Sequence, residues 1–236
     1  VHVITLDLSG KVVAVTGAFG SLGAAMARAA AAARATVALL DQTDTSQAPT
    51  DIGNGLVLGN VDLTSTGGAT EAVGQIMAQF GRLDALVNIA GGFRWEPIEG
   101  GSIDTWDLLY QMNLRTAVNA SQAALPHLLA SGDGRIVNVG ALAAAKAGTG
   151  MGAYAASKAG VARLTEALAD ELKDRAVTVN AVLPSIIDTA ANRADMPDAD
   201  FSRWVKPEQI CDLIVFLLSE RARAITGALI PVAGRL

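Results

Sequence analysis

Short apolar runs, each the length of one buried strand, alternate along this chain with segments of helical period, and few architectures accommodate that rhythm. The strand-like runs fall at 12–16, 36–40, 56–60, 85–88, 134–139, 178–183 and 229–232, and helical stretches at 22–34, 66–80, 103–129, 153–173 and 207–219. Strands that are apolar throughout, rather than at every second residue, expect cover on both faces, as in a parallel sheet with helices above and below. The reading is one α/β domain over 1–236 with a sheet of about seven strands. Segment 42–55 holds Pro49 and two glycines and reads as a crossover without a full helix. Segment 185–206, with Pro197, several charges, Phe201 and Trp204, reads as a loop over the strand ends that could serve as a lid.

Composition narrows what the chain can do. A hydrophobic fraction of 51% over 236 residues is enough for a sizeable core. The net charge of -5 leaves no broad basic footprint, so neither nucleic acid nor an anionic membrane is an expected partner. Cys211 is the only cysteine, which suits a reducing, cytoplasmic setting. Segment 1–8 contains Asp7 and lacks the pattern of a signal peptide, and the alanine-rich 24–35 is broken by Arg28 and Arg34, so no membrane span is expected. No His/Cys/Asp/Glu cluster has metal-ligand spacing; His127 has no evident partner and His2 is near the start.

Two stretches carry chemistry. Tyr154 and Lys158 are four apart in a helical segment and share a face, where the ammonium would favour ionisation of the phenol and make Tyr154 a proton donor near neutral pH. The first strand runs into Gly17-Ala18-Phe19-Gly20-Ser21-Leu22-Gly23 and then a helix, the context in which backbone N–H groups meet a pyrophosphate. Asp41 ends the second strand, where a carboxylate accepts hydrogen bonds from both ribose hydroxyls and repels a 2′-phosphate. With no lysine or arginine in that loop or just after Asp41, NAD(H) is favoured over NADP(H).

In these motifs and their order the chain resembles the short-chain dehydrogenase/reductase family over essentially its whole length, which implies a Rossmann-type doubly wound parallel sheet. The resemblance implies that Asp62 and Leu63 contact adenine, and that Asn88-Ile89-Ala90-Gly91 stands for the family's Asn-Asn-Ala-Gly with Ile in the second place. It implies that Asn113 supports a water path to the catalytic lysine, that Tyr154 and Lys158 are the active-site pair, and that Pro184, Ile187 and Thr189 hold the nicotinamide carboxamide. A homodimer or homotetramer built on 103–129 and 153–173 is likewise implied.

Two departures bear on activity. Ser21 occupies the usual middle-glycine position and Gly20 precedes it, so the close-approach point is shifted by one. Ala141 stands where most members carry a serine that helps bind the carbonyl oxygen, and loss of such a donor costs about 10²–10³ in rate. A local resemblance to the dihydropteridine reductase branch, which lacks that serine, extends through Gly91-Gly92-Phe93, 148–151 and the 192–204 segment. The expected reaction is hydride transfer between nicotinamide and a small carbonyl or conjugated, pterin- or quinone-like substrate. Phe93, Trp95, Met151 and Trp204 are candidates to grip that substrate beside Ala141. The alternative is a weak or inactive dinucleotide-binding sensor or scaffold.

Overall fold

A computed structural model describes residues 6–236; residues 1–5, and with them His2 and most of the first segment read above, lie outside the described residues. Seven strands form one sheet: β1 (Val12–Thr16), β2 (Thr36–Leu40), β3 (Leu56–Leu58), β4 (Ala85–Asn88), β5 (Gly134–Val139), β6 (Val177–Pro184) and β7 (Leu229–Val232). Their order is β3-β2-β1-β4-β5-β6-β7, and every pairing is parallel. β3 is shorter than the apolar run suggests, because Asn60 takes a left-handed φ of 57° and turns the chain away.

The helices are α1 (Ser21–Ala32), α2 (Thr66–Phe80), α3 (Ile103–Tyr110), α4 (Thr116–Ala130), α5 (Gly152–Leu172), α6 (Ala190–Asp195) and α7 (Pro207–Leu218). Successive residues of a strand face opposite sides, and the sequence fills both. Val13 and Val15 of β1 join Met26 of α1 and Ile210 and Leu217 of α7 in one core. Val12 and Ala14 join Ile76 of α2, Leu128 of α4 and Leu172 of α5 in the other. The crossover 42–55 holds only a turn of 3₁₀ helix, Thr45–Gln47, as expected from its composition.

The stretch 103–129 is not one α-helix. Gln111–Arg115 form a π-helical turn between α3 and α4, which inserts one residue while the rod continues in the same direction. Segment 185–206 contains α6 and a 3₁₀ turn at Phe201–Arg203, and closes as a ribbon through a parallel bridge between Ile187 and Val205. The order of the strands reverses between β1 and β4, so loops leaving their C-terminal ends diverge and open a crevice there.

Candidate active site

The crevice is a cleft of about 450 Å³ lined by the β1–α1 loop, the residues after β2 and β3, the loop after β4, and Thr189. Gly17 and Gly23 make the loop compact. A Cβ on Gly23 would run into the Gly17 carbonyl, and one on Gly17, whose φ is 62°, would lie 2.8 Å from the Ala90 backbone. Gly20 has no such neighbour, since a Cβ there would meet only the Gly17 carbonyl at 3.6 Å. Gly20 caps α1 with no side-chain hydrogen bond and no acidic residue follows in the first turn, so the helix offers uncompensated N–H groups at the cleft.

Asp41 is buried at the cleft wall. Its Oδ2 accepts from the Phe19 N–H at 2.9 Å, and its Oδ1 accepts from the Thr43 N–H at 3.0 Å and hydroxyl at 2.8 Å. Asp62 and Leu63 also line the cleft, and Asn119 of α4 fixes that segment by donating to the carbonyls of Leu63 and Thr64 at 2.9 and 3.0 Å. Hydrogen bonds from the Thr64 hydroxyl and N–H hold the Asp62 carboxyl below the usual carboxylate range. Among the described residues the lining contains these two carboxylates and no lysine, arginine or histidine.

Thr16 joins the two diverging strands, its Oγ1 accepting from the N–H groups of Ile89 and Ala90 at 3.1 Å. Asn88 lies beneath, donating to Ser121 at 3.1 Å and to Asn138 at 2.9 Å, while Asn138 donates to Thr165. Thr16, Asn119 and Asn138 escaped the sequence reading. Thr16, the polar end of an otherwise apolar strand before the glycine loop, was visible in principle; the two asparagines carry no local signal.

Gly91 links the cleft to the candidate catalytic group. It lines the cleft, and a Cβ added to it would strike Asn113 Oδ1 and stand 3.5 Å from Lys158 Nζ. The buried Lys158 ammonium donates to the Val139 carbonyl at 2.8 Å, and burial pushes its pKa down to about 8. The Tyr154 phenol is pushed up to about 12, again by burial. Burial moves the phenol in the direction opposite to the depression expected from Lys158, and the ammonium hydrogen bond goes to the Val139 carbonyl. Phe93 stands edge-on to the Tyr154 ring, with centroids 4.9 Å apart and planes at 84°.

Asn113 sits in the π turn. Its Oδ1 accepts from Gly92 N–H at 2.8 Å, and its Nδ2 donates to Gly92 O at 3.0 Å and Ser157 Oγ at 2.9 Å. The side chain therefore clamps the loop after β4 to α5, leaving its amide engaged with protein groups.

Trp95 anchors a second clamp. Its Nε1 donates to the Thr149 carbonyl at 2.8 Å, and the next residue, Glu96, donates its N–H to Gly150 O at 2.8 Å. Phe93 and Trp95 remain more than half exposed, at 58% and 57%. Met151 precedes α5 one turn before Tyr154, and Ala141 is buried just beyond β5. Trp204 lies elsewhere: it is buried against Phe201, 4.8 Å between centroids, and lines a separate hollow along the 185–206 ribbon. Pro184 ends β6 and Ile187 pairs with Val205; neither lines the cleft, whereas the adjacent Thr189 does.

A glycine-cradled crevice at the switch point of a parallel sheet, beside a half-buried Tyr154 and a buried Lys158, is a dinucleotide-binding arrangement of the Rossmann class. The short chain dehydrogenase family matches residues 11–200, and the chain belongs to that family of NAD(P)-linked oxidoreductases. It is 32% identical to the 3-oxoacyl-(acyl-carrier-protein) reductase FabG of Thermotoga maritima, over 98% of this chain and 99% of that protein. Among solved structures it is similar to a 3-ketoacyl-(acyl-carrier-protein) reductase from Brucella melitensis complexed with NADH, with a TM-score of 0.89, 28% identity, and coverage of 97% and 99% of the two chains. It is equally similar, at TM-score 0.89 and 34% identity, to a short chain dehydrogenase from Burkholderia cenocepacia in complex with NADP, covering 97% and 98%.

Proposed function

We propose that this chain is an NADH-preferring reductase of a small conjugated carbonyl compound, working with one side-chain proton donor instead of two. The observation that carries the reading is Gly91, which lines the cleft and whose missing side chain lets Asn113 and Lys158 lie directly behind it. The cleft fits a dinucleotide: the α1 N-terminus and the Gly17–Gly23 backbone would hold the pyrophosphate, and Asp62 and Leu63 the adenine. Asp41 would hold the ribose hydroxyls, and two carboxylates without a lining cation disfavour a 2′-phosphate. Thr189, with Ile187 and Pro184 behind it, would border the nicotinamide end. When bound, the nicotinamide supplies or accepts the hydride.

The chain's own residues then handle the proton. With a pKa near 12, Tyr154 holds its proton at neutral pH and can donate it to a substrate atom that gains negative charge. Lys158, with a pKa near 8, is mostly a cation at pH 7 and is the nearby positive charge that steadies the phenolate left behind. Ala141 adds no donor, so a substrate whose own conjugation spreads the incoming charge suits the site better than a saturated ketone. Phe93, Trp95 and Met151 form the wall for such a flat molecule; Trp204, turned into the other hollow, is left out of it.

The test is NADH and NADPH oxidation against a panel of a quinone, quinonoid dihydropterin, a 3-oxoacyl thioester and a saturated ketone. Faster turnover of the conjugated acceptors, with NADH, and a loss of about 10²–10⁴ in Tyr154→Phe, is expected. Tight NADH binding without turnover of any panel member would overturn the reading in favour of a dinucleotide sensor.

A further inference from the structure

The 185–206 ribbon also lines a second hollow, of about 730 Å³, which shares no residue with the cleft. Four cations line it: Arg193, Arg203, Lys206 and Arg235. The one carboxylate in the lining, Asp188, is committed to Arg193 through two hydrogen bonds of 2.5 and 2.8 Å. Arg203, Lys206 and Arg235 make no ion pair among the described residues. Nearby Asp200 accepts from the N–H and hydroxyl of Ser202 and lies within electrostatic reach of Arg203 and Arg235 without pairing with either, a single carboxylate against two guanidinium groups.

What distinguishes this cluster from ordinary solvated cations is its bracing. Arg203 donates from Nε and Nη2 to the Arg235 carbonyl at 3.0 and 2.8 Å, and Arg235 donates from Nη2 to the Ser202 carbonyl at 2.6 Å and hydroxyl at 3.2 Å. Two guanidinium groups 32 residues apart in sequence are thus held together by each other's backbone neighbourhood, with Lys206 beside them at the start of α7. Like charges gathered in this way repel unless an anion sits among them, and each guanidinium keeps N–H groups free to donate. The geometry points to a site for a small multivalent oxyanion, a phosphate or the phosphoryl group of an ester, gripped by Arg203, Lys206 and Arg235.

The site shares an element with the cleft. Asp188 lines the hollow and the next residue, Thr189, lines the cleft, so the ribbon borders both. It is pinned by Asp188 N–H to Val205 O at 2.8 Å and Val205 N–H to Ile186 O at 3.0 Å, immediately before Lys206. An oxyanion that fixes Lys206 and Arg203 stiffens the ribbon that borders the nicotinamide end, so oxyanion and dinucleotide binding reinforce each other reciprocally. This coupling rests on the cofactor reading above; the oxyanion site itself does not.

Calorimetric titration of the full chain with inorganic phosphate, without NADH and at constant ionic strength in chloride, tests the site alone. Saturable binding in the millimolar range or tighter is expected, weakened about tenfold in Lys206→Gln and in Arg235→Gln. Thermal melts of both variants check the fold, and Lys206, with an exposed side chain, is the safer of the two. Glycerol 3-phosphate binding tighter than phosphate would identify an ester as the source; phosphate binding as well or better would identify the free ion. No saturable heat, equal affinity in the folded variants, or equal competition by chloride would overturn the site. NADH affinity measured with and without phosphate then tests the coupling: tighter binding with phosphate is expected, and an unchanged constant refutes it. Failure of NADH to bind at all would count against the cleft while leaving the phosphate titration decisive for the hollow.

Discussion

At the scale of single residues, burial governs the site more than pairwise charge does. Sequence spacing made the Tyr154–Lys158 pair legible, but not that Lys158 would be buried against the end of β5, or that burial would raise the Tyr154 phenol. The consequence is a basic limb set by lysine. Reductive kcat/KM is expected to be flat below pH 8 and to fall above it, because Lys158 loses its charge near 8 while Tyr154 keeps its proton to about 12. A pH–rate profile checks this, and Lys158→Arg should remove the fall near 8. The same residue costs stability. Between pH 8 and 10.5 the unfolded chain keeps a proton that the folded one has lost, so wild-type stability rises with pH over that window. At pH 7 the buried charge costs about 3 kcal/mol, and loss of the bond to Val139 returns about 1, so Lys158→Met should be more stable by about 2 kcal/mol in urea melts. That advantage should fade by about pH 10. Ala141→Ser should raise turnover of a saturated ketone by up to about 10²-fold, read from kcat/KM, since it restores a hydroxyl donor at the end of β5.

Among the elements, those with an unbroken apolar run were readable almost to the residue: β1, β2, β4 and β5 need only be buried on both sides, and β7 closes the sheet as a half-buried edge. The π turn was hidden because Gln111–Arg115 contains neither glycine nor proline, and it coincides with the tertiary clamp that Asn113 makes with Gly92 and Ser157. Its extra residue has a geometric effect. Ile103, Tyr110 and Val118 are separated by seven and then eight positions, and because the turn absorbs one, all three stay on one stripe of the α3–α4 rod. Gly23→Ala drives a methyl into the Gly17 carbonyl and should cost about 1–3 kcal/mol in a thermal melt, together with a large loss of NADH affinity. Gly20→Ala has room and a φ of -72°, so its stability should stay within about 0.5 kcal/mol of wild type.

For the molecule as a whole, the exposed stripe of Ile103 at 70%, Tyr110 at 52% and Val118 at 37% is the face on which the expected homodimer would form. Val118→Arg places a charge in that face, and light scattering on a sizing column should show a smaller assembly with an intact fold. No described helix is long and apolar enough to cross a membrane, and no described cluster of His, Cys, Asp and Glu could hold a metal. The domain reading and the cleft both rest on one topological fact, the reversal of strand order at β1. Thr16 fastens β1 to Ile89 and Ala90, residues 73 and 74 positions away, while β1 pairs with β2 through a much shorter loop. Closing the longer loop is the slower step on chain-entropy grounds. During refolding, recovery of dinucleotide binding should therefore lag behind recovery of helix content, and the protein would spend its earliest folded moments without a working pocket.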